Sequence, residues 1–504
     1  MYPSSAKRNI RRHVMLKVDK LIPKREIRTL PPNAADFTPA FDIASLPTEL
    51  WHLVLREATP LLPDPLYKPI QHTFLVDSGA SSAPCKWDDY AASMREKLNL
   101  ASVSTVWHEL MQPLLFEFIW IRSAKQGKAL AKLLLEQSCG MTKGSAGRFI
   151  RRLHIETRAL SRCAVEDIKS ILDCAPNLIN FTDQRSVCRD PLQYECPAAR
   201  YTPRQVFGAL AHVGSLLQRL VWTNYDQDDI FPLYALPNLH YLGNSLEYLE
   251  LSSANFDVSP NQAITSLKTL PISLPRLQSL KVILDNVTFA MMAPWDMPKL
   301  RNLYVMSSDF MYAGDGFAKF FDAHGAQIFE LELGHPSAVV EEHLVYPGVR
   351  EPIPLAKWLP NLEHFICSAN AEWNWRTPDY ISPHVLLPTH PNVQLIGIRH
   401  LDIRLIEDRG RSEYFRLREQ ISSLFRPTAF PSLQFIRDLS PKSMKMRSGG
   451  GLSGKAPDKQ VLAFWGTVLG MGRERAVWFE AWDGSNITRG QVSRALKGPL
   501  TWED

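Results

Sequence analysis

The chain has 504 residues, of which 45% are hydrophobic and 22% are charged, and its formal net charge is +5. These values are ordinary for globular proteins and exclude a wholly disordered chain. A charge of this size over this length does not indicate nucleic-acid binding, which needs a concentrated basic face, and no stretch approaches the roughly 18 uninterrupted apolar residues of a membrane helix.

The first 40 residues are predicted to form a basic, disordered tail. Lysine and arginine concentrate there, at positions 7, 8, 11, 12, 17 and 20, and a proline-rich stretch follows. This composition is typical of a solvated tail, and a mitochondrial presequence or a nuclear-import patch has the same character.

The first predicted helix carries an apolar stripe. Leu46, Leu50 and Val54 are four residues apart, which places them on one side of a helix. Pro47 suits the first turn, where a missing N–H costs nothing. This helix opens a predicted helical module over residues 41–123.

A loop and a second helix complete this module. Residues 58–96 are rich in proline and small polar residues and are predicted to form an inserted loop. Helical spacing resumes at Leu98 and continues through Val103 and Trp107. We expect Pro113 to break or kink that helix.

Residues 124–440 repeat one six-residue pattern, an apolar residue followed by x-x-apolar-x-apolar. Its copies begin at positions 150, 178, 217, 246, 277, 300, 328, 362, 393 and 433, on average about 31 residues apart. Each copy predicts a strand, and the spacing leaves room for one return helix. One such unit cannot bury both faces of its strand, so the units are predicted to stack into an α/β solenoid. A doubly wound parallel sheet is the alternative.

The end of the chain departs from this pattern. Residues 441–457 are rich in glycine, serine and lysine and are predicted to form a flexible insert. Residues 458–504 are predicted to form an irregular terminal repeat, with a tryptophan-rich strand over 476–482, and a tail.

Known catalytic, cofactor and metal motifs are absent from the sequence. Gly449 to Lys455 approaches a phosphate-binding loop, but Ala456 stands where the magnesium-binding hydroxyl is required. The seven cysteines are scattered without a C-x-x-C pair, and no apolar secretory segment is found, which favours a reducing compartment, the cytoplasm or the nucleus. We therefore expect no enzyme, cofactor or metal; a hydrolase assembled from the solenoid loops is the alternative.

Residues 45–121 resemble the F-box, as it occurs in fungal F-box-like proteins with leucine-rich-type repeats. The resemblance rests on Leu46-Pro-Thr-Glu-Leu50, Val103-Ser-Thr-Val-Trp107 and Pro113-Leu-Leu-Phe116, in this order and followed by repeats. The chain lacks the basic residue that often stands in the segment before this tryptophan, and its interhelix loop is long.

The resemblance implies a helical F-box-like module followed by an irregular leucine-rich-repeat solenoid. It also implies the substrate-receptor subunit of a Skp–cullin–F-box ubiquitin ligase, whose partners are a Skp-type adaptor, through it a cullin, and an unidentified target protein. The implied adaptor-binding residues are Leu46, Pro47, Leu50, Val54, Val103 and Trp107. The alternative is an interaction scaffold in which these helices only cap the solenoid.

Candidate substrate-binding residues lie between the apolar positions of the strands, which point away from the solenoid core. They are Arg151, His154, Lys281, Tyr304 and Glu332. Trp373 and Trp375, on a predicted loop, are further candidates because exposed aromatic residues beside an arginine often anchor interfaces. The alternatives are a solvated sheet face for the charged residues and packing between repeats for the tryptophans.

Overall fold

The structure is a computed structural model that describes 18 parts of the chain. They are residues 47–59, 72–75, 87–139, 145–157, 162–184, 203–213, 216–224, 239–253, 272–284, 289–307, 315–333, 355–369, 390–401, 405, 415–440, 459–481, 484–490 and 492. The predicted basic tail and the predicted insert at 441–457 lie outside these ranges.

The N-terminal module contains helices α1 (Thr48–Ala58), α2 (Trp87–Ala101) and α3 (Thr105–Phe116). Ser104 caps α3, because its hydroxyl oxygen accepts the backbone N–H of Trp107 at 3.1 Å.

Three expectations for this module are wrong, in whole or in part. The helix predicted from Leu98 through Trp107 is two helices, since α2 ends at Ala101 and α3 begins at Thr105. Pro113 lies inside α3 and does not break it; proline removes one hydrogen bond to the carbonyl four residues earlier, and that residue, Glu109, is exposed to water. The predicted loop also ends too late, because α2 already begins at Trp87. Asp88 and Asp89 in its first turn favour a helix start there.

Within the described residues, twelve parallel strands form one sheet in chain order. They are β1 (Phe118–Ile121), β2 (Arg152–Glu156), β3 (Asn180–Gln184), β4 (Arg219–Asn224), β5 (Tyr248–Ser253), β6 (Ser279–Leu284), β7 (Asn302–Ser307), β8 (Glu330–Leu333), β9 (His364–Ser368), β10 (Leu395–Arg399), β11 (Phe435–Asp438) and β12 (Trp478–Glu480). A doubly wound sheet reverses its strand order at a switch point. This order has no reversal, so the α/β fold is a solenoid.

The ten strands predicted from the repeats are confirmed as β2 to β11. The sheet extends one strand further at each end, since β1 pairs with β2 and β12 pairs with β11. β1 follows α3 directly, and the solenoid therefore begins where the helical module ends.

Helices return the chain between strands. They include α4 (Ala124–Cys139), α5 (Val165–Asp173), α6 (Pro203–Val213), α7 (Leu239–Leu242), α8 (Asp315–His324), α9 (Leu355–Trp358), α10 (Phe415–Leu424) and α11 (Lys459–Glu474). One side of the sheet and these helices share a single apolar core, in which Leu153 and Ile155 of β2 meet Ile168 and Ile171 of α5. Alternate strand residues therefore face away from the helices.

Asparagines tie successive repeats together. The side chains of Asn177, Asn361 and Asn392 each donate Nδ2–H to a backbone carbonyl of the preceding repeat at 2.7 Å. Each of these asparagines follows a proline just before a strand. The recurrent Pro-Asn pair thus both ends the preceding segment and supplies a donor across the repeat boundary.

Candidate functional site

Residues 72–75, from the middle of the predicted loop, lie on the side of the sheet that faces away from the helices, here called the sheet face. The carbonyl of His72 accepts hydrogen bonds from the hydroxyl of Ser279 and, at 2.8 Å, from Nδ2 of Asn302. These two donors belong to the neighbouring strands β6 and β7. Side chains of the sheet thus bind the main chain of the segment.

The next part of the segment is bound by two charged residues. The hydroxyl of Thr73 donates to a carboxylate oxygen of Glu330 at 2.6 Å and accepts the N–H of Leu75 at 3.2 Å. The N–H of Phe74 donates to the other oxygen of Glu330, and its carbonyl accepts from Arg399 Nη2 at 2.6 Å. Glu330 and Arg399 thus bind the hydroxyl of Thr73 and the N–H and carbonyl of Phe74 directly.

Apolar contacts complete the binding of the segment. The ring of Phe74 meets the rings of Tyr248 and Tyr304 edge-on, with centroids 6.3 and 6.0 Å away. Leu75 lies against Gly397, where a Cβ would stand 3.3 Å from the leucine side chain and 2.7 Å from Leu439. Both Phe74 and Leu75 are buried.

Buried charged residues surround the bound segment 72–75. Arg399 and Glu332 form a bidentate pair, with Nη2 and Oε2 2.8 Å apart. Lys281 lies 3.2 Å from Glu250, and its ammonium is 5.1 Å from the ring centroid of Tyr304. These side chains are buried, and a buried charge is tolerated when it is paired.

Helix α2 covers the first strands of the sheet face. Tyr90 packs edge-on to Phe118 at 5.1 Å, and its hydroxyl oxygen accepts the backbone N–H of Trp120 at 3.2 Å. The ring of Trp120 lies 4.8 Å from His154, which is fully buried. Burial lowers the pKa of His154, since it disfavours the charged imidazolium. The helical module is thus packed onto the solenoid.

A second surface lies on the helical module. Trp51 of α1 packs on Trp107 of α3, with centroids 5.7 Å apart, above a small core that includes Leu55 and Met111. Outside that core, several large apolar side chains are exposed; they form the set here called the apolar patch: Leu50, Leu53, Leu98, Val103 and Val106.

The structure divides the predicted adaptor-binding residues into two groups. Pro47, Leu50 and Val103 are exposed, whereas Val54 and Trp107 are half-buried. Leu46 lies outside the described residues. Trp107 also packs against the module's own core. Only some of the predicted adaptor-binding residues are therefore exposed for a partner.

The predicted substrate-binding residues are mostly covered. His154, Lys281 and Glu332 do point away from the helices, but they are buried, and Tyr304 is half-buried against Phe74. Arg151 is exposed but precedes β2, and its N–H donates to Glu117. Lys281, Tyr304 and Glu332 come together around the segment, whereas Arg151 and His154 lie at the far end of the sheet. Trp373 and Trp375 lie outside the described residues.

Sequence reasoning missed residues 72–75, together with their partners Glu330 and Arg399. Phe74 and Leu75 belong to the apolar run Phe74-Leu75-Val76, but the predicted loop also contains the apolar pair Leu61-Leu62, so the signal was not distinctive. An apolar pair of this kind in a long loop is a candidate for packing, but its partners are not encoded locally.

Comparisons with known proteins found a distant structural similarity. No protein-family model matches, and no curated protein matches either. Among solved structures, the leucine-rich repeat-containing protein LegL7 from Legionella pneumophila is similar, with 11% identity and a TM-score of 0.29 over 76% of this chain and 98% of that one. At this TM-score the similarity carries no argument.

Two negative findings apply to the described part of the chain. Its helices are all too short or too polar to cross a membrane. Likewise, these residues contain no group of three or more histidine, cysteine or acidic side chains placed to hold a metal ion.

Proposed function

We propose that this chain is the substrate-receptor subunit of a Skp–cullin–F-box type ubiquitin ligase in the cytoplasm or nucleus. Helices α1 to α3 bind a Skp-type adaptor, which connects the chain to a cullin, and the solenoid holds a target protein. The coarser form of the proposal, a repeat-based protein-interaction scaffold, needs only the solenoid.

The apolar patch carries the proposal. Helices that only cap a solenoid present a polar outer face, as terminal repeats do. Here Leu50 and Leu53 on α1 are exposed, and so are Val103 and Val106 around the start of α3. Several large apolar side chains exposed on one small module are typical of an interaction surface, and helix-on-helix docking buries such a set.

The proposal does not require the chain itself to catalyse a reaction. Burial raises the pKa of the Cys163 thiol to about 12 and that of Cys367 well above its usual range. A thiolate is the reactive form of cysteine, so neither side chain is suited to act as a nucleophile at neutral pH.

The proposal is tested by co-expressing the full chain with a Skp-type adaptor. Leu50→Asp combined with Val106→Asp places two charges in the apolar patch without touching the Trp51–Trp107 contact. We expect the intact chain to form a 1:1 complex in size-exclusion chromatography and the double variant to lose it, at least tenfold in affinity.

Leu135→Asp is the matched control. Leu135 on α4 is 44% exposed, compared with 45% for Leu50, but it lies outside the helical module. This variant should retain the complex. A folded chain that elutes without the adaptor would contradict adaptor binding and leave the scaffold function.

A further inference from the structure

We propose that the sheet face is a peptide-binding site, and that residues 72–75 occupy it as an internal ligand that the target protein displaces. The target contributes a short segment with a hydroxyl residue, an aromatic residue and an aliphatic residue in succession. This inference rests on the proposed function, because it assigns the place where the solenoid holds its target.

The sheet face binds the segment largely through its main chain. Ser279, Asn302 and Arg399 donate to its carbonyls, and Glu330 accepts the N–H of Phe74. These contacts use main-chain groups that every peptide has. A segment from another protein can therefore make the same hydrogen bonds without any similarity outside the short motif.

The pockets of the sheet face suit two particular kinds of side chain. Phe74 lies against two tyrosine rings, and Leu75 fills the space that Gly397 leaves open. An aromatic anchor in a desolvated pocket is the usual energetic centre of a protein interface. Together these contacts select an aromatic residue followed by an aliphatic one.

The hydroxyl of Thr73 donates a hydrogen bond to Glu330. Glu330 is buried, and His364 Nδ1 lies 3.4 Å from its carboxylate. Phosphorylation removes the proton that this hydroxyl donates and adds a negative charge that the carboxylate repels. The site therefore accepts the unmodified hydroxyl and rejects the phosphorylated one.

The connections on both sides of the segment are long in sequence. Residues 60–71 join the segment to α1, and residues 76–86 join it to α2. A dozen residues span up to about 40 Å when extended. The segment can thus leave the sheet face while both of its ends stay attached to folded helices.

The test uses a fluorescently labelled synthetic peptide of residues 70–77. It is titrated into the intact chain and into the variant Phe74→Asp with Leu75→Asp, in which the internal segment no longer fits the pockets. A tethered competitor acts at roughly millimolar effective concentration. We therefore expect the variant to bind the peptide at least tenfold more tightly than the intact chain does.

Two peptides serve as controls. Replacement of the phenylalanine by alanine should abolish binding, and phosphorylation of the threonine should do the same. A folded variant that ignores the unmodified peptide, or binds the phosphorylated one equally well, would overturn the proposal.

A second measurement covers the case in which the variant does not fold. Hydrogen exchange of residues 72–75 in the intact chain should rise in the presence of millimolar peptide and stay unchanged with the alanine peptide. Unchanged exchange with both peptides would show a permanently fixed segment and overturn the proposal.

Adaptor capture is measured on the same samples, so the two ideas fail separately. Peptide binding without adaptor capture supports the peptide site and contradicts only the ligase. Adaptor capture without peptide binding or exchange contradicts the peptide site alone.

Discussion

Arg399 joins three parts of the molecule through one guanidinium group. It forms the bidentate pair with Glu332 of β8, extends from β10, and donates to the carbonyl of Phe74. Arginine suits this place because its planar fork offers several donors in fixed directions and stays charged. Lysine offers a single ammonium and cannot reproduce the geometry.

Removal of this side chain is expected to be costly. Arg399→Ala leaves the Glu332 carboxylate buried without its bidentate partner, and breaking one half of a buried pair costs about 3 kcal/mol or more. The free energy of unfolding, measured by urea denaturation, should fall by that amount. The double variant Arg399→Met with Glu332→Leu removes both charges and should recover much of the loss. Equal losses in the single and double variants would show that the loss does not come from the unpaired Glu332 carboxylate.

At the scale of the element, the spacing between neighbouring repeats depends on glycine. Gly325 precedes β8, and a Cβ there would lie 2.1 Å from the carbonyl oxygen of Trp358 in the next repeat. No rotamer change relieves this clash, because the obstructing atom belongs to the backbone. The two repeats can only stack at this distance if the position has no side chain.

Gly325→Ala should therefore lower the free energy of unfolding by about 2 kcal/mol or more, and the thermal unfolding midpoint should fall with it. Gly466 on α11 is the matched control, since a Cβ there meets nothing within 4 Å. Gly466→Ala should raise stability by up to about 1 kcal/mol, because alanine is the better helix former. A destabilisation of equal size in both variants would contradict the close approach.

The strands could be predicted from the sequence because their signal is local and repeated. Leu249 and Leu251, for example, are both buried on the helix side of β5, and the same spacing recurs in the next strand. The apolar stripe of α1 could also be seen, but not its surroundings. Trp51 and Leu55 pack inward, while Leu50 stays exposed.

Residues 72–75 could not be placed from the sequence for a physical reason. Four residues carry no period, and their partners are far away in the chain: His72 meets Ser279, 207 positions later. The burial of the charged residues on the sheet face could not be predicted from the sequence for the same reason. A lysine such as Lys281 is ordinarily solvent-exposed, and only the tertiary pairing with Glu250 explains its burial.

At the scale of the whole molecule, buried histidines make stability depend on pH. Burial lowers the pKa of His154, His324 and His390 below the ordinary value of 6.5. Below about pH 6.5 the unfolded chain therefore binds protons that the folded chain does not. The stabilisation from the neutral imidazoles is present above this pH and is lost as the pH falls.

The free energy of unfolding should accordingly decrease between pH 7.5 and pH 5.5. The Nε2–H of His390 donates to the carbonyl of Leu359, and its Nδ1 accepts the backbone N–H of Asn392. His390→Gln should flatten the pH dependence. A slope that is the same in the variant and in the intact chain would assign the effect to other groups.

The contact between Phe74 and Arg399 has a consequence for synthesis on the ribosome. The two residues are 325 positions apart, and translation adds roughly 5 to 20 residues per second. Phe74 leaves the ribosome about 15 to 65 seconds before Arg399 does. Phe74 and Leu75 are thus without their final partners for most of translation, which makes this early stretch of the nascent chain a natural binding place for chaperones.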